Sequence, residues 1–175
     1  MPPAPTPVVV RRTHLALRSP AALRRTAPPP AAAAVHLARR APCGVAEYRA
    51  LYRLVGERWH WRDRLAWSDD RLATWLARAD VAIWALTMDD APAGFFELHR
   101  HSQGHVEIIY FGLAEPAFGR GIGGWMLERA VDEAWAMGAT WVGLNTCTLD
   151  GGAALPNYLA RGFAPYRTEE YVAVV

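Results

Sequence analysis

The sequence predicts one α/β domain, a mixed and mostly antiparallel sheet with helices on both faces. Three observations lead there. The 175 residues, 52% hydrophobic and 21% charged, can bury one core and do not have a disordered composition. Apolar residues repeat with a period of two in some stretches and near 3.6 in others. In chain order those stretches spell β-α-α-β-β-β-α-β-α-β, with no internal repeat.

Residues 1–34 are rich in proline, alanine and arginine. They read as a basic arm outside the core, with residues 13–18 alternating enough for a peripheral strand. The domain is expected to run over 35–175, starting with a strand at 35–39. Between 45 and 61 apolar side chains recur at helical spacing (Tyr48, Leu51, Tyr52, Val55, Trp59), and a second helix starts at Asp69 behind the N-cap Ser68. An apolar strand at 81–87, the turn Asp89-Asp90-Ala91-Pro92 and a strand at 93–99 make a hairpin. Ser102-Gln103-Gly104 turns into a third strand at 106–113. A glycine cluster at 119–124 opens an amphipathic helix that carries Met126, Leu127, Ala130, Val131, Ala134 and Trp135 inward and ends at Gly138. A strand at 140–146, a short helix at 153–161 ending at Gly162, and an apolar strand at 171–175 complete the order.

The charges are segregated. Residues 1–40 hold seven arginines and no acid; the remainder holds 12 basic and 17 acidic side chains, and the chain has no lysine. An acidic body lacks the clustered basic face that nucleic-acid phosphates require, so no nucleic acid is expected, whereas an amine is a natural partner. Cys43 and Cys147 give neither a disulfide framework nor metal-ligand spacing, and no metal is expected. Arg11-Arg12 is not followed by the unbroken apolar stretch of an export signal, and no run is long enough to span a bilayer. The expected location is cytoplasmic, without a membrane partner.

The strongest local signal is a strand, then the glycine cluster, then a long helix. Glycines let the backbone approach a ligand closely, and the free N–H groups and dipole of the helix N-terminus suit a pyrophosphate. The other reading is a glycine turn that only aims the helix back over the sheet. Gly119, Gly121 and Gly124 satisfy G-x-G-x-x-G, yet Glu115-Pro116 interrupts the tight strand-to-helix turn of a dinucleotide site. The next strand ends near Asn145 without an acidic residue for a ribose, and the remaining chain is too short for the rest of a doubly wound half. A P-loop is excluded because there is no lysine.

The stretch 106–124, V-E-I-I-Y-F-G-L-A-E-P-A-F-G-R-G-I-G-G, resembles the acetyl-CoA-binding segment of the GNAT superfamily of N-acetyltransferases. The family's signature is Gln/Arg-x-x-Gly-x-Gly/Ala at the mouth of a helix, often preceded by a proline. Gly121, Gly123 and Pro116 match it, while Phe118 stands where the family prefers Gln or Arg. Downstream, A-L-P-N-Y-L-A-R-G-F at 154–163 is similar to the family's A-x-x-x-Y-x-x-x-G-F, with Ala154, Tyr158, Gly162 and Phe163 in register. Gly151 stands where the family often has Asn. The resemblance covers residues 35–175.

The resemblance implies a GNAT-like acyl-CoA N-acyltransferase fold and an enzyme that transfers an acetyl group from acetyl-CoA to an amine of a small molecule or a protein. By position, Phe111, Gly112 and Leu113 would pair with pantetheine. Phe118, Gly119, Arg120, Gly121, Ile122, Gly123 and Gly124 would surround the pyrophosphate. Independently, Gly112 inside a strand marks a bulge or a close backbone approach. An amine must lose its proton before it attacks a thioester. Glu107, eleven residues before Phe118, has the spacing of the base glutamate in histone-type members; the other reading is an ordinary strand carboxylate facing solvent. Tyr158 would be the acid that protonates the departing thiolate, or else a buried aromatic.

The acceptor is expected between the first two helices and the sheet, where Trp59, His60, Trp61 and Trp67 crowd. Such a wall suits an amphipathic or cationic acceptor, and such tryptophans also pack cores. His60 with Asp63 one turn on is an acid/base candidate or a surface pair. Because of Phe118, a non-catalytic CoA-binding module acting as a sensor or partner stays open, as does a homodimer.

Overall fold

The computed structural model describes residues 6–28 and 35–174. In chain order its elements are β1 (Pro7–Leu17), β2 (Val35–Arg40), α1 (Val45–Gly56), α2 (Asp69–Leu76), β3 (Val81–Met88), β4 (Ala91–Arg100), β5 (Val106–Leu113), α3 (Ile122–Ala136), β6 (Val142–Cys147), α4 (Ala154–Ala160) and β7 (Ala164–Val174). The strands form one seven-stranded sheet in the order β2-β3-β4-β5-β6-β1-β7. Neighbours run antiparallel, except that β5 and β6 run parallel because α3 returns the chain across the sheet between them. The predicted class, a mixed and mostly antiparallel sheet with helices on both faces, is what folds.

Each face of the sheet has its own core. Against one, α3 sets Met126, Leu127 and Val131 on Leu15, Leu98 and Ile108, all essentially without solvent contact. Each such side chain contributes roughly 1.5–3 kcal/mol of burial. Against the other, α1 and α2 set Tyr48, Tyr52, Val55 and Leu72 on Ile83 and Phe95. The start of α2 is defined by Ser68, whose Oγ accepts the Arg71 N–H at 3.3 Å, with Asp69 and Asp70 favouring the helix dipole in the first turn. Under α2 lies a fully buried carboxylate, Glu97 of β4. It accepts from Arg64 Nη2 and Trp75 Nε1, each at 2.8 Å, and from the Tyr48 hydroxyl. A buried charge is tolerable only when paired and hydrogen-bonded in this way.

Three boundaries differ from the sequence expectation. β1 is no peripheral strand of an arm: it lies between β6 and β7, pairs with both, and buries Val10, Leu15, Ala16 and Leu17. Residues 19–28 then run along α3 and α4, where the Thr26 amide and hydroxyl donate to the buried Glu128. The rest of the expected arm, 1–5 and 29–34, lies outside the described residues. β7 starts at Ala164 rather than near 171, and its exposed polar residues suit a sheet edge that pairs with β1 on one side only. Helix α1 stops at Gly56, short of 61, and gives way to single turns at Glu57–Trp59 and Asp63–Ala66. There the Trp61 ring folds back onto Gly56, where a Cβ would lie 2.5 Å from Trp61 Cε3. His60 takes a left-handed φ of 58° to allow the reversal.

Candidate active site

The site begins with a defect in strand pairing. β5 and β6 pair only through Val106–Val142, Glu107–Gly143 and Ile108–Leu144. On the other side of β5 the register with β4 shifts at the same level: Leu98 faces Ile108 and Glu97 faces Tyr110, so Ile109 is an extra residue. Such a bulge bends its strand and increases twist, and here the bend carries β5 away from β6. Beyond it Gly112 lets α1 settle onto the strand, since a Cβ there would lie 2.4 Å from Val55 Cγ1. The result is a V whose open arm is a cleft of about 770 Å³. It reaches both faces of the sheet, because Phe111 belongs to the α3 side, Tyr110 to the α1 side, and both line it.

At the mouth on the α3 side, Gly119 and Gly121 adopt left-handed φ values of 68° and 72°, and Gly121 is the N-cap of α3. The unsatisfied amides of the first helical turn therefore open onto the cleft. Of the residues expected around a pyrophosphate, Phe118, Gly119, Gly121, Ile122, Gly123 and Gly124 line it. Arg120 does not; its Nη1 lies 3.6 Å from the Met88 sulfur. Phe111, Gly112 and Leu113 also line the cleft, on the edge of β5 that β6 has left. Tyr158 of α4 reaches in between Phe111 and Phe163 with only 7% of its surface exposed. Its hydroxyl makes no hydrogen bond among the described residues. Burial, with the nearby Asp150 charge, pushes its pKa up, so the phenol stays protonated.

Glu107, the expected base candidate, is not among the residues that line this cleft. It sits at the closed end of the V, in the last stretch where β5 still pairs with β6, and its carboxylate is 2.9 Å from His101 Nε2. It faces a small separate hollow with His14, His105 and Trp141. The imidazoles form a column there, His99 to His101 at 4.3 Å, His101 to His105 at 4.1 Å, then His105 to Trp141 at 4.5 Å between ring centres. Spacing along one strand could not reveal this, because the bulge lies between Glu107 and the cleft.

On the α1 side, Trp59, His60 and Trp61 of the expected wall line the cleft, joined by Asp63, whereas Trp67 packs on the Arg64 guanidinium instead. His60 and Asp63 are not paired; Asp63 accepts from the Tyr110 hydroxyl at 3.3 Å. The Trp59 indole crosses to Gly151, where a Cβ would lie 2.9 Å from Trp59 Cη2. That contact accounts for the glycine in a place where the family often has Asn. Arg12, Tyr171 and Asn157, none of them read from sequence, complete the lining. Asn157 adjoins Tyr158, but Arg12 and Tyr171 join it only through the pairing of β1 with β6 and β7.

The acetyltransferase (GNAT) family model matches residues 48–163, which hold α1, the V, the glycine loop and Tyr158. The chain belongs to that family. Its fold resembles a GCN5-related N-acetyltransferase from Kribbella flavida, with a TM-score of 0.66 and 22% identity over 96% of this chain. It also resembles a putative GNAT-family acetyltransferase from Novosphingobium aromaticivorans, with a TM-score of 0.62 and 15% identity over 99% of this chain and 67% of that one. A third similar structure is an aminoglycoside acetyltransferase from an uncultured soil metagenomic sample in complex with sisomicin, with a TM-score of 0.61 and 12% identity over 74% of this chain and 88% of that one. The chain spans only 59% of the length of the Kribbella protein. Comparison with curated proteins returns no match. Among the described residues no helix is long and apolar enough to cross a membrane.

Proposed function

We propose that this GNAT-family chain transfers an acetyl group from acetyl-CoA to an amine held in the cleft between β5 and β6. The observation that carries the reading is Tyr158, a buried phenol without a hydrogen-bond partner among the described residues, in a cleft that has a glycine loop and helix N-terminus at one mouth. The loop fits a phosphate ligand: a Cβ on Gly119 would meet nothing within 4 Å, and one on Gly123 nothing closer than 3.7 Å. The amides from Gly119 through Gly124 would hold the pyrophosphate, and the unpaired edge of Phe111, Gly112 and Leu113 would take the pantetheine arm. Bound there, acetyl-CoA supplies an activated carbonyl carbon with a thiolate leaving group.

The acceptor nitrogen reaches the thioester from the Trp59 side, attacks as a free amine and forms the N–C bond as the C–S bond breaks. Sulfur leaves with the bonding pair and takes the Tyr158 proton, and the phenol recovers its proton from the one the new amide nitrogen sheds. Burial serves this step, because a phenol that does not ionise is a standing donor at neutral pH.

The test is a titration with acetyl-CoA followed by thiol release over a panel of amines. Saturable binding and amine-dependent release are expected. Gly121→Glu, which adds a negative charge in a left-handed position, should weaken binding by on the order of 100-fold. Parental affinity in that variant would place the cofactor elsewhere. Binding without thiol release from any amine would make the chain a binding module.

A further inference from the structure

If acetyl-CoA enters from the glycine-loop side, the other mouth must select the acceptor, and its charged groups are not equivalent. Arg12 is already engaged: Nη2 donates to the Tyr171 hydroxyl at 3.1 Å, and Nη1 lies 3.6 Å from a Glu169 oxygen. Asp150 is also engaged, accepting the Thr146 hydroxyl at 2.7 Å and the Cys147 amide at 2.8 Å. Glu107 lies outside the cleft and is held by His101. Asp63 is different. It is exposed to the cleft, and among the described residues its one hydrogen bond is the long one from Tyr110 at 3.3 Å.

The position of Asp63 is nonetheless fixed. The next residue, Arg64, is 7% exposed; it bonds Glu97 at 2.8 Å, stacks 4.0 Å over the Trp67 ring, and its amide donates to Tyr52 at 3.4 Å. The short turn Asp63–Ala66 is thus riveted to the sheet through a buried ion pair, and it presents one carboxylate with spare acceptor capacity at the cleft. Tyr110, which bonds that carboxylate, lies 5.0 Å from Trp61 between ring centres, and Trp59 lines the same cleft. A fixed carboxylate beside aromatic faces suits a cation with an apolar body, since both attract an ammonium group while the rings take the body out of water.

We infer that Asp63 binds the ammonium group of the acceptor and takes up its first proton, and that the acceptor is a primary amine carried on an aromatic or apolar body. This rests on the acyl-transfer reading above. The protons balance: the ammonium gives one through Asp63 to solvent and attacks as a free amine. The second proton, shed after the N–C bond forms, restores Tyr158, whose own proton has gone to sulfur. Asp63 suits the first transfer because it is exposed and can pass the proton to water.

The test compares two acceptors, 2-phenylethylamine, which is an ammonium ion at neutral pH, and aniline, which is not. Both are assayed with the parent, Asp63→Asn and Asp63→Glu, and acetyl-CoA affinity is measured for each protein. Losing a hydrogen bond to a charged group corresponds to a factor on the order of 10 to 100. Asp63→Asn should lower kcat/KM for 2-phenylethylamine by that factor, through KM for the lost ion pair and through kcat for the lost proton acceptor, and for aniline by less than about threefold, while Asp63→Glu restores part of the loss. An equal fall for both amines, or no fall for either, overturns the inference. So does a parent that binds acetyl-CoA and acetylates a polar polyamine but neither of these two, which leaves acyl transfer itself standing. A parent that does not bind acetyl-CoA overturns both readings.

Discussion

Along residues 106–108, β5 is paired on both sides; along 110–113 it keeps only β4. At the paired end, polar groups satisfy one another: Glu107 with His101, the imidazoles in a column, and Asp80 3.6 Å from His99. At the unpaired end they are left available, as the Tyr158 hydroxyl, the β5 edge, the loop amides and the Asp63 carboxylate. One strand therefore carries a structural half and a candidate chemical half, and the bulge at Ile109 separates them. A ligand competes for groups that the fold has not already used, and sheet pairing decides which groups those are.

The largest expected effect comes from removing the partner that holds the far wall of the V. β6 loses β5 beyond Leu144 but keeps β1 along Arg12–Cys147 to Leu17–Val142. Deleting residues 1–34 exposes β6 on that side and strips Val10, Leu15 and Leu17 from the cores. At roughly 1.5–3 kcal/mol for each of these side chains, before counting two strand ladders, the loss rivals a whole domain's stability of about 5–15 kcal/mol. Such a truncated chain should show no cooperative thermal transition. A sharp transition near the parental Tm would make β1 dispensable.

The contrast with the sequence reading is instructive at this strand. Helical periodicity, the Ser68 cap and the glycine loop are local signals, and they put α1, α2, α3 and the glycine-loop mouth in the right order. The sequence reads β1 as an arm because its arginines, Arg11 and Arg12, and its Pro-rich flanks look solvated, while its pairing partners lie more than 120 residues away. The same distance hid Arg12 and Tyr171 as cleft residues. The place of Glu107 is hidden for a different reason. A bulge changes which face later residues occupy, and nothing in V-E-I-I-Y-F-G announces an extra residue at Ile109. Tyr158 was legible through its spacing to Gly162-Phe163; that its hydroxyl stays unpaired was not.

The second effect sets one end of β5 against the other. Tyr158→Phe removes a single hydroxyl from the open end and keeps the ring against Phe111 and Phe163, so stability should change little. A general acid contributes about 10²–10⁴-fold in rate, and kcat should fall by that factor with acetyl-CoA affinity unchanged. Glu107→Gln at the closed end should leave kcat within about twofold of the parent, as expected of a group that touches no substrate. Equal losses in the two variants would return Glu107 to the reaction and erase the distinction between the ends.

The smallest effect is the signature of the closed end itself, a dependence of stability on pH. His99 faces Trp75, Asp80 with its partner Arg78, and His101; His105 faces His101, Glu107 and Trp141, with His14 and Tyr166 across the hollow. Burial lowers the pKa of both His99 and His105, and the His101 charge lowers them further against the pull of Asp80 and Glu107. The fold thus favours the neutral rings. As pH falls through the ordinary imidazole value near 6.5, the unfolded chain takes up these protons first, so stability is full above that value and is lost below it. The Tm should therefore be lower at pH 5.5 than at 7.5. His105→Gln, which has no proton to gain, should narrow the difference even if it lowers Tm at both pH values. Equal Tm values in the parent, or an undiminished difference in His105→Gln, would mean that the column does not sense pH. Tyr158→Phe, altered only at the open end, should show the parental pH difference in Tm.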